Sequence, residues 1–243
     1  MAGGISDVLA RMRTIRDALD PVDGVRQFNQ VYLRVTEELQ PRLTAGFFRD
    51  PGFVERFATI FAGRYFTAVD AGAVDVRRVS PAWRPLFAQR EDRRIHPVQF
   101  AVAGMNAHIN HDLALATVDT CLVCGTHPGD ERVEIDYLRI NAIFEEVEAE
   151  IRLALLSGPE ELGEPFEPIV HLVSTWSVVQ ARDAAWVRTQ VRWALRQQDW
   201  LLDRTEEASA RAVGMTGRHL LTPLLPPRRG RPFPALLPDR PHT

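Results

Sequence analysis

Apolar residues recur along most of this chain with the period of an α-helix, about 3.6 residues. In the stretch from 5 to 19, Ile5, Val8, Leu9, Met12, Ile15 and Leu19 fall on one side. Pro21 and Gly24 interrupt the pattern, and Phe28, Val31, Tyr32, Val35 and Leu39 resume it over 25–40. In DPGFVERFATIFAGRYFTAVD, Asp50 is placed to cap a helix and Pro51 to occupy its first position, where a missing N–H does no harm. Phe53, Phe57, Ile60, Phe61 and Phe66 then give that helix an aromatic face. Residues 70–94 are less periodic, with a short helix expected in PAWRPLFAQRED.

IHPVQFAVAGMNAHINHDLALATVD predicts a long, largely apolar helix, with Pro97 in its first turn and CLVCGTHPGDER breaking it. Residues 133–156 predict a helix ended by Ser157, Gly158 and Pro159, with a linker, GEPFEP, after it. A further long helix is expected from Pro168 to about residue 196. Residues 197–213 either continue it or form another, and Gly214 and Gly217 weaken helix beyond that point. No regular alternation of strand and helix appears, and no repeat. The expected fold is all-α: a single-domain helical bundle of about seven main helices over 1–221. A proline- and arginine-rich tail, 222–243, with seven prolines and the run RRGR, is expected to be extended or disordered.

The central helix carries the candidate chemistry. With about 100° per residue, Ile95, Val98, Val102, Met105, Ile109, Leu113 and Ala116 form one stripe. His108, Asp112 and Asp119 line one flank, and Gln99, Asn106, Asn110 and Thr117 the other. Stripe and flanks cover more than half the circumference, which predicts a helix with neighbours on several sides. His111 falls on the remaining side, nearer Phe100, and is the weaker candidate. His108 and Asp112 stand four apart and can meet. Asp112 could orient the imidazole as a base, both could ligate a divalent metal, or the two could satisfy each other in the core. Asn106 and Asn110 are poor mid-helix residues, and beside the His–Asp pair they suggest a polar pocket or an internal network crossing the bundle.

Other helices offer partners. Asn141, Glu148 and Tyr137 lie along one border of the 133–156 helix, and Glu148 is the best outside carboxylate for completing a metal shell; Asp136, near the other border, suits the first turn of a helix. In WSVVQARDAAWVRTQVRWAL, Trp176, Val179, Asp183, Trp186, Val187, Gln190 and Ala194 share a face. Asp183 could point into a cavity, and Arg182 could hold an anionic substrate or pair with Asp112. Trp176 and Trp83 are candidate walls of a small-molecule pocket. Cys121, Cys124 and His127 have the spacing of zinc ligands, with Asp119, Asp130 or His111 as a fourth, but no second CxxC is present. Ordinary thiols beside a turn fit the same residues.

GMNAHINHDLALA resembles the signature of a family of uncharacterised bacterial all-helical proteins, a domain of unknown function. Gly104, Asn106, Ala107, His108, Ile109, Asn110, Asp112 and Leu113 match its G-x-NAHIN-x-DL core, and His111 takes the variable place. WRPLF, IHPVQF, DYLRIN and ARDAAW extend the resemblance over most of residues 25–195. It implies an all-helical fold and brings no established activity. The CxxC loop and the proline-rich tail lie outside the shared pattern.

Composition narrows the function classes. The 243 residues are 45% hydrophobic and 25% charged with a formal net charge of -3, ordinary for a globular chain and unsuited to nucleic acid or an anionic membrane. Asp7, Arg11 and Arg13 break up the N-terminal segment, so it does not read as a secretion signal, and no run approaches the roughly 18 apolar residues of a membrane span. The reading is a cytoplasmic protein with a small-molecule partner. The expected function is an enzyme of bacterial, specialised metabolism. In it, His108 and Asp112 are an acid–base pair, and Asn106, Asn110, Asn141, Trp176, Arg182 and Asp183 bind substrate. Two alternatives stay open: a divalent-metal enzyme with His108, Asp112 and Glu148 as ligands, and a non-catalytic binding or scaffold protein.

Overall fold

The computed structural model describes residues 3–156, 167–224 and 236. Among these there is no strand. The helices are α1 (Ile5–Ala18), α2 (Gly24–Thr44), α3 (Pro51–Val74), α4 (Arg84–Gln89), α5 (Pro97–Ala107), α6 (Leu113–Cys124), α7 (Glu131–Leu156), α8 (Glu167–Thr175), α9 (Val178–Leu195) and α10 (Asp199–Leu220). A π-helical turn, His108–Asp112, joins α5 to α6 without a break. Counted as one rod, α5 to α6 stands with α1, α2, α3, α7, α9 and α10 as seven main helices of an all-α, single-domain bundle. No described helix is long and apolar enough to cross a membrane.

The helix boundaries follow local chemistry. The Asp50 carboxylate accepts from the Phe53 N–H with Pro51 in the first turn of α3. His96 and Gln99 form a reciprocal cap on α5, the imidazole accepting from Val98 N–H and the Gln99 amide oxygen from His96 N–H. α6 runs through both cysteines and ends at Gly125, whose φ of 66° is the left-handed conformation that glycine adopts without strain. The long helix expected from Pro168 to 196 is two helices. Ser177 caps α9, accepting from the Gln180 N–H, so the chain leaves α8 at Thr175 and restarts at Val178.

The rod from α5 to α6 is the hub. α2 and α10 pack on its first half, α3 and α9 on its second. It is buried almost all round, as its angular pattern predicts: Val98, Ala101, Val102, Ile109, Leu113 and Ala116 belong to the core, and so do the polar Gln99, Asn106, His108, Asp112 and Thr117. Glycine permits close approach at two points. A Cβ on Gly104 would lie 2.3 Å from the Phe28 ring, so the absence of a side chain lets α2 seat that ring on α5. A Cβ on Gly214 would lie 2.1 Å from the Pro81 carbonyl oxygen. Gly214 therefore packs α10 against the 80–83 turn rather than weakening the helix.

The tail expected over 222–243 lies mostly outside the described residues. Leu236 is buried, and its N–H donates to the Gln27 amide oxygen at 3.0 Å. Gln27, itself fully buried, donates in turn to the Pro21 carbonyl at 2.7 Å. The 133–156 helix is present as α7, and the stop expected at 157–159 falls outside the described residues.

Two glycines test this account of the packing. Gly214→Ala must displace backbone and should destabilise by about 1–3 kcal/mol, the usual scale of overpacking. Gly63→Ala, inside α3 with nothing within 4 Å of the added carbon, should be neutral or stabilise by about 0.5–1 kcal/mol. Urea denaturation of both variants decides the point; a Gly214→Ala midpoint equal to wild type would refute the close approach.

Candidate functional site

The site grows from one irregularity in the hub. At His108–Asp112 the Leu113 N–H donates to the His108 carbonyl, closing a five-residue loop in place of the usual four. Such a turn adds one residue to an α-helix, so positions after it are rotated by roughly 100° relative to a continuous helix.

His108 and Asp112 do meet. The imidazole Nδ1 donates to Asp112 Oδ2 at 3.0 Å, and the Trp83 indole N–H donates to the same oxygen at 2.8 Å. Trp83 comes from the turn before α4, the turn that Gly214 holds against α10. Aromatic rings enclose the imidazole. Phe61 stacks on it at 3.6 Å between centroids with 6° between planes, and Tyr32 meets it edge-on at 4.5 Å. Phe28, Tyr65 and Trp83 close the remaining sides at 5.8, 6.4 and 5.8 Å. Phe28 and Tyr32 stand four apart on α2, and Phe61 and Tyr65 four apart on α3, so each helix presents two rings in one direction.

His108 is 3% exposed, and its Nε2 is buried with no hydrogen-bond partner among the described residues. Burial lowers its pKa from the ordinary histidine value; the Asp112 carboxylate opposes that, and Arg64 adds to it. The side chain is thus neutral near pH 7, protonated on Nδ1 and bare on Nε2. Burial likewise pushes the Tyr32 phenol well up, reinforced by the Asp112 charge.

His111 is the neighbour that angular counting sets aside. Its Nε2 lies 3.9 Å from Asp112 Oδ1, an ion-pair distance and longer than a hydrogen bond. The ring lines a partly open cavity of about 110 Å³ between the π-turn, α6, α9 and α10. Asn110, Arg188, Arg192 and Glu206 share its wall. Asn106 and Asn110 connect this cavity to α10: Asn106 donates to the Val213 carbonyl at 3.1 Å, Asn110 donates to Asn106 at 3.2 Å, and Arg188 donates to Asn110 at 2.9 Å. Burial lowers the His111 pKa, opposed by Asp112 and supported by Arg64, Arg188 and Arg192.

The other candidates lie elsewhere. Arg182 and Asn141 are together, but with each other: the Arg182 Nε donates to Asn141, and the guanidinium sits over Tyr137 and Phe144 at 4.5 and 4.8 Å. Arg182 is fully buried there, anchoring α9 to α7, and does not pair with Asp112. The buried face of α9 is Val178, Arg182, Ala185 and Thr189, so Asp183, Val187 and Gln190 are exposed, away from the expected cavity. Trp176 and Glu148 line a separate apolar cavity of about 30 Å³ with Val31, Val102 and Phe144. Asp136, on α7, is buried and accepts from the Arg49 and Asp50 N–H groups.

Among the described residues no three His, Cys, Asp or Glu side chains come together as a metal-binding group. Glu148 does not join His108 and Asp112, and Cys121, Cys124 and His127 do not assemble. Cys121 is buried on α6 with its thiol pushed up to about 12 by burial, Cys124 is exposed, and His127 accepts from the Gly129 N–H.

The chain belongs to a family of unknown function, DUF5995, whose model matches residues 5–223. The family is an uncharacterised, all-helical bacterial one, and the match takes in all the described helices. No curated protein and no solved structure matches the chain significantly.

The burial of His108 sets the sign of a pH effect. Its folded pKa lies below its unfolded value of about 6.5. The stability it contributes is therefore complete above pH 6.5 and is lost as pH falls toward the folded pKa, because the unfolded chain takes up the proton first. The expected slope below pH 6.5 is at most about 1.4 kcal/mol per pH unit for each such histidine. His111 acts with the same sign. Urea unfolding at pH 7.5 and 5.5 should show the loss, and His108→Gln should flatten it; an unchanged slope would mean that folded His108 takes up its proton normally. Trp83→Phe removes one of two donors from Asp112 and should cost about 1.5–3 kcal/mol at pH 7.5.

Proposed function

We propose that the protein is a small-molecule enzyme working by proton transfer in the cleft between α6, α9 and α10, with His111 as the imidazole that meets the reactant. The observation carrying this reading is the position of Asp112. One oxygen is held by Trp83 and His108, and the other lies 3.9 Å from a histidine that lines the charged cavity. A carboxylate held in this way stabilises an imidazolium without moving.

In this reading the roles divide by access. His108 is stacked, sealed and neutral, so it acts as a positioning residue that fixes Asp112. His111 is 13% exposed and has its pKa lowered, so near neutral pH it is an available base. On taking a proton from a bound reactant it becomes an imidazolium 3.9 Å from the Asp112 carboxylate, whose charge stabilises it. The proton is then returned to the product. Asn110, fixed by Asn106 and Arg188, presents a polar amide beside the reacting centre. The seat of His108, buried among aromatic rings, favours a second reading in which the His108–Asp112 pair only braces the fold and the cleft binds without reaction.

A turnover screen separates the two. Wild-type protein incubated with a bacterial small-molecule extract and monitored by mass spectrometry should consume at least one compound. His111→Gln should slow that loss by roughly 100-fold or more, the scale of general acid–base catalysis. His108→Gln should retain turnover with a shifted pH profile. Full activity in His111→Gln would remove the assignment, and retained binding with no consumption by wild type would favour the non-catalytic reading.

A further inference from the structure

The charges around the cleft do not all pair off. Arg192 is ion-paired with Glu206, Arg64 with Asp119, and Asp112 is taken by Trp83 and His108. Arg188 has no carboxylate partner among the described residues. Its Nη2 donates to the neutral Asn110 amide oxygen at 2.9 Å, and its Nε is buried with no acceptor. Burial pushes its pKa below the ordinary arginine value. Arginine does not escape this by losing its proton. A half-buried cation of this kind costs stability unless an anion completes it.

The rest of the cleft restricts which anion fits. Leu115, Val191, Leu195 and Leu202 give the wall an apolar part, which it shares with the polar Thr205, Glu206 and Ser209. The cavity, about 110 Å³ and partly open, is smaller than the 150 Å³ or so that encloses benzene, so roughly four to six heavy atoms fit inside and any further atom stands at the open side. One guanidinium without a carboxylate contact calls for a single negative charge beside it. A phosphate dianion would bring a second negative charge next to Glu206 and leave the apolar wall uncovered.

We propose that the cleft binds a small organic monocarboxylic acid, its carboxylate on Arg188 and its apolar chain against Leu115, Val191, Leu195 and Leu202. The planar guanidinium and the planar carboxylate suit each other in shape as well as charge. His111 lies on the same wall, so the bound acid is within the cleft where proton transfer is proposed. The inference rests on that reading for the identity of the site alone, since binding requires no reaction.

Isothermal titration of the full chain at pH 7 with isovalerate, isovaleramide and inorganic phosphate tests it. Isovalerate should bind in the millimolar range or tighter, on the order of 4 kcal/mol. Isovaleramide, which keeps the shape and loses the charge, and phosphate, which keeps charge and loses the chain, should each bind about 10-fold more weakly or worse, the loss expected for one charge-assisted hydrogen bond. Arg188→Met should abolish the preference for isovalerate over its amide, whereas Arg77→Met, at a side chain 86% exposed, should leave it unchanged. Thermal melting gives a second readout: isovalerate should raise the melting temperature of wild type and not of Arg188→Met. Arg188→Lys, which keeps the charge without the planar fork, should fall between the two and serves if Arg188→Met fails to fold. Equal affinity for acid and amide, an unchanged Arg188→Met, tighter phosphate binding, or no binding of isovalerate at about 10 mM would each overturn the proposal. A positive result with no turnover in the extract screen would leave it standing and remove only the enzymatic reading.

Discussion

A carboxylate in the middle of a helical core needs donors, and the donors of Asp112 decide how the bundle is put together. Trp83 must arrive from the turn before α4, so that turn must lie close to the hub, and Gly214 makes room for it on α10. His108 must reach Asp112 along the hub itself, so its ring is stacked on Phe61 and hemmed by Tyr32 and Phe28. Elements far apart in the chain thus converge on one oxygen atom and the imidazole beside it. Removing a partner from such a buried pair costs more than the net worth of its bond, because the remaining charge is left without solvent.

Periodicity alone locates the helices and the hub. Ile95, Val98, Val102, Ile109 and Leu113 are buried as the stripe requires, and His108 meets Asp112 as i,i+4 spacing allows. Periodicity fails where the helix itself departs from uniform turns. The break at Trp176–Ser177 leaves no mark in the pattern because apolar residues continue across it, although Ser177 is a good capping residue. On α9, a face drawn through Trp176 and Asp183 crosses that break, which is why Asp183 comes out exposed while Arg182 is buried.

Partners from distant segments are harder to read. Trp83 is visible in the sequence as a candidate pocket wall, but its indole N–H as the second donor to Asp112 requires the tertiary arrangement. Arg188, Arg192 and Glu206 carry no local signal at all, being ordinary charged residues on helices with plenty of others. By contrast the glycine of the G-x-NAHIN-x-DL motif has a plain reason once Phe28 is seen against it, and so have both asparagines, which join the hub to α10 and α9. The motif is a set of packing and bonding requirements centred on one turn.

The π-turn also bears on how the chain finds its fold. Residues 97–124 can form a helix in two registers, one with regular i→i+4 bonds throughout and one with the wider loop at His108–Asp112. Local energetics favour the regular register, since wide turns are rare without support from elsewhere. The native register gains only when Trp83, Phe61 and the α9 and α10 partners are in place. The register of the hub is therefore set by tertiary contacts and not by its own sequence: a peptide of residues 97–124 alone is expected to favour the regular register.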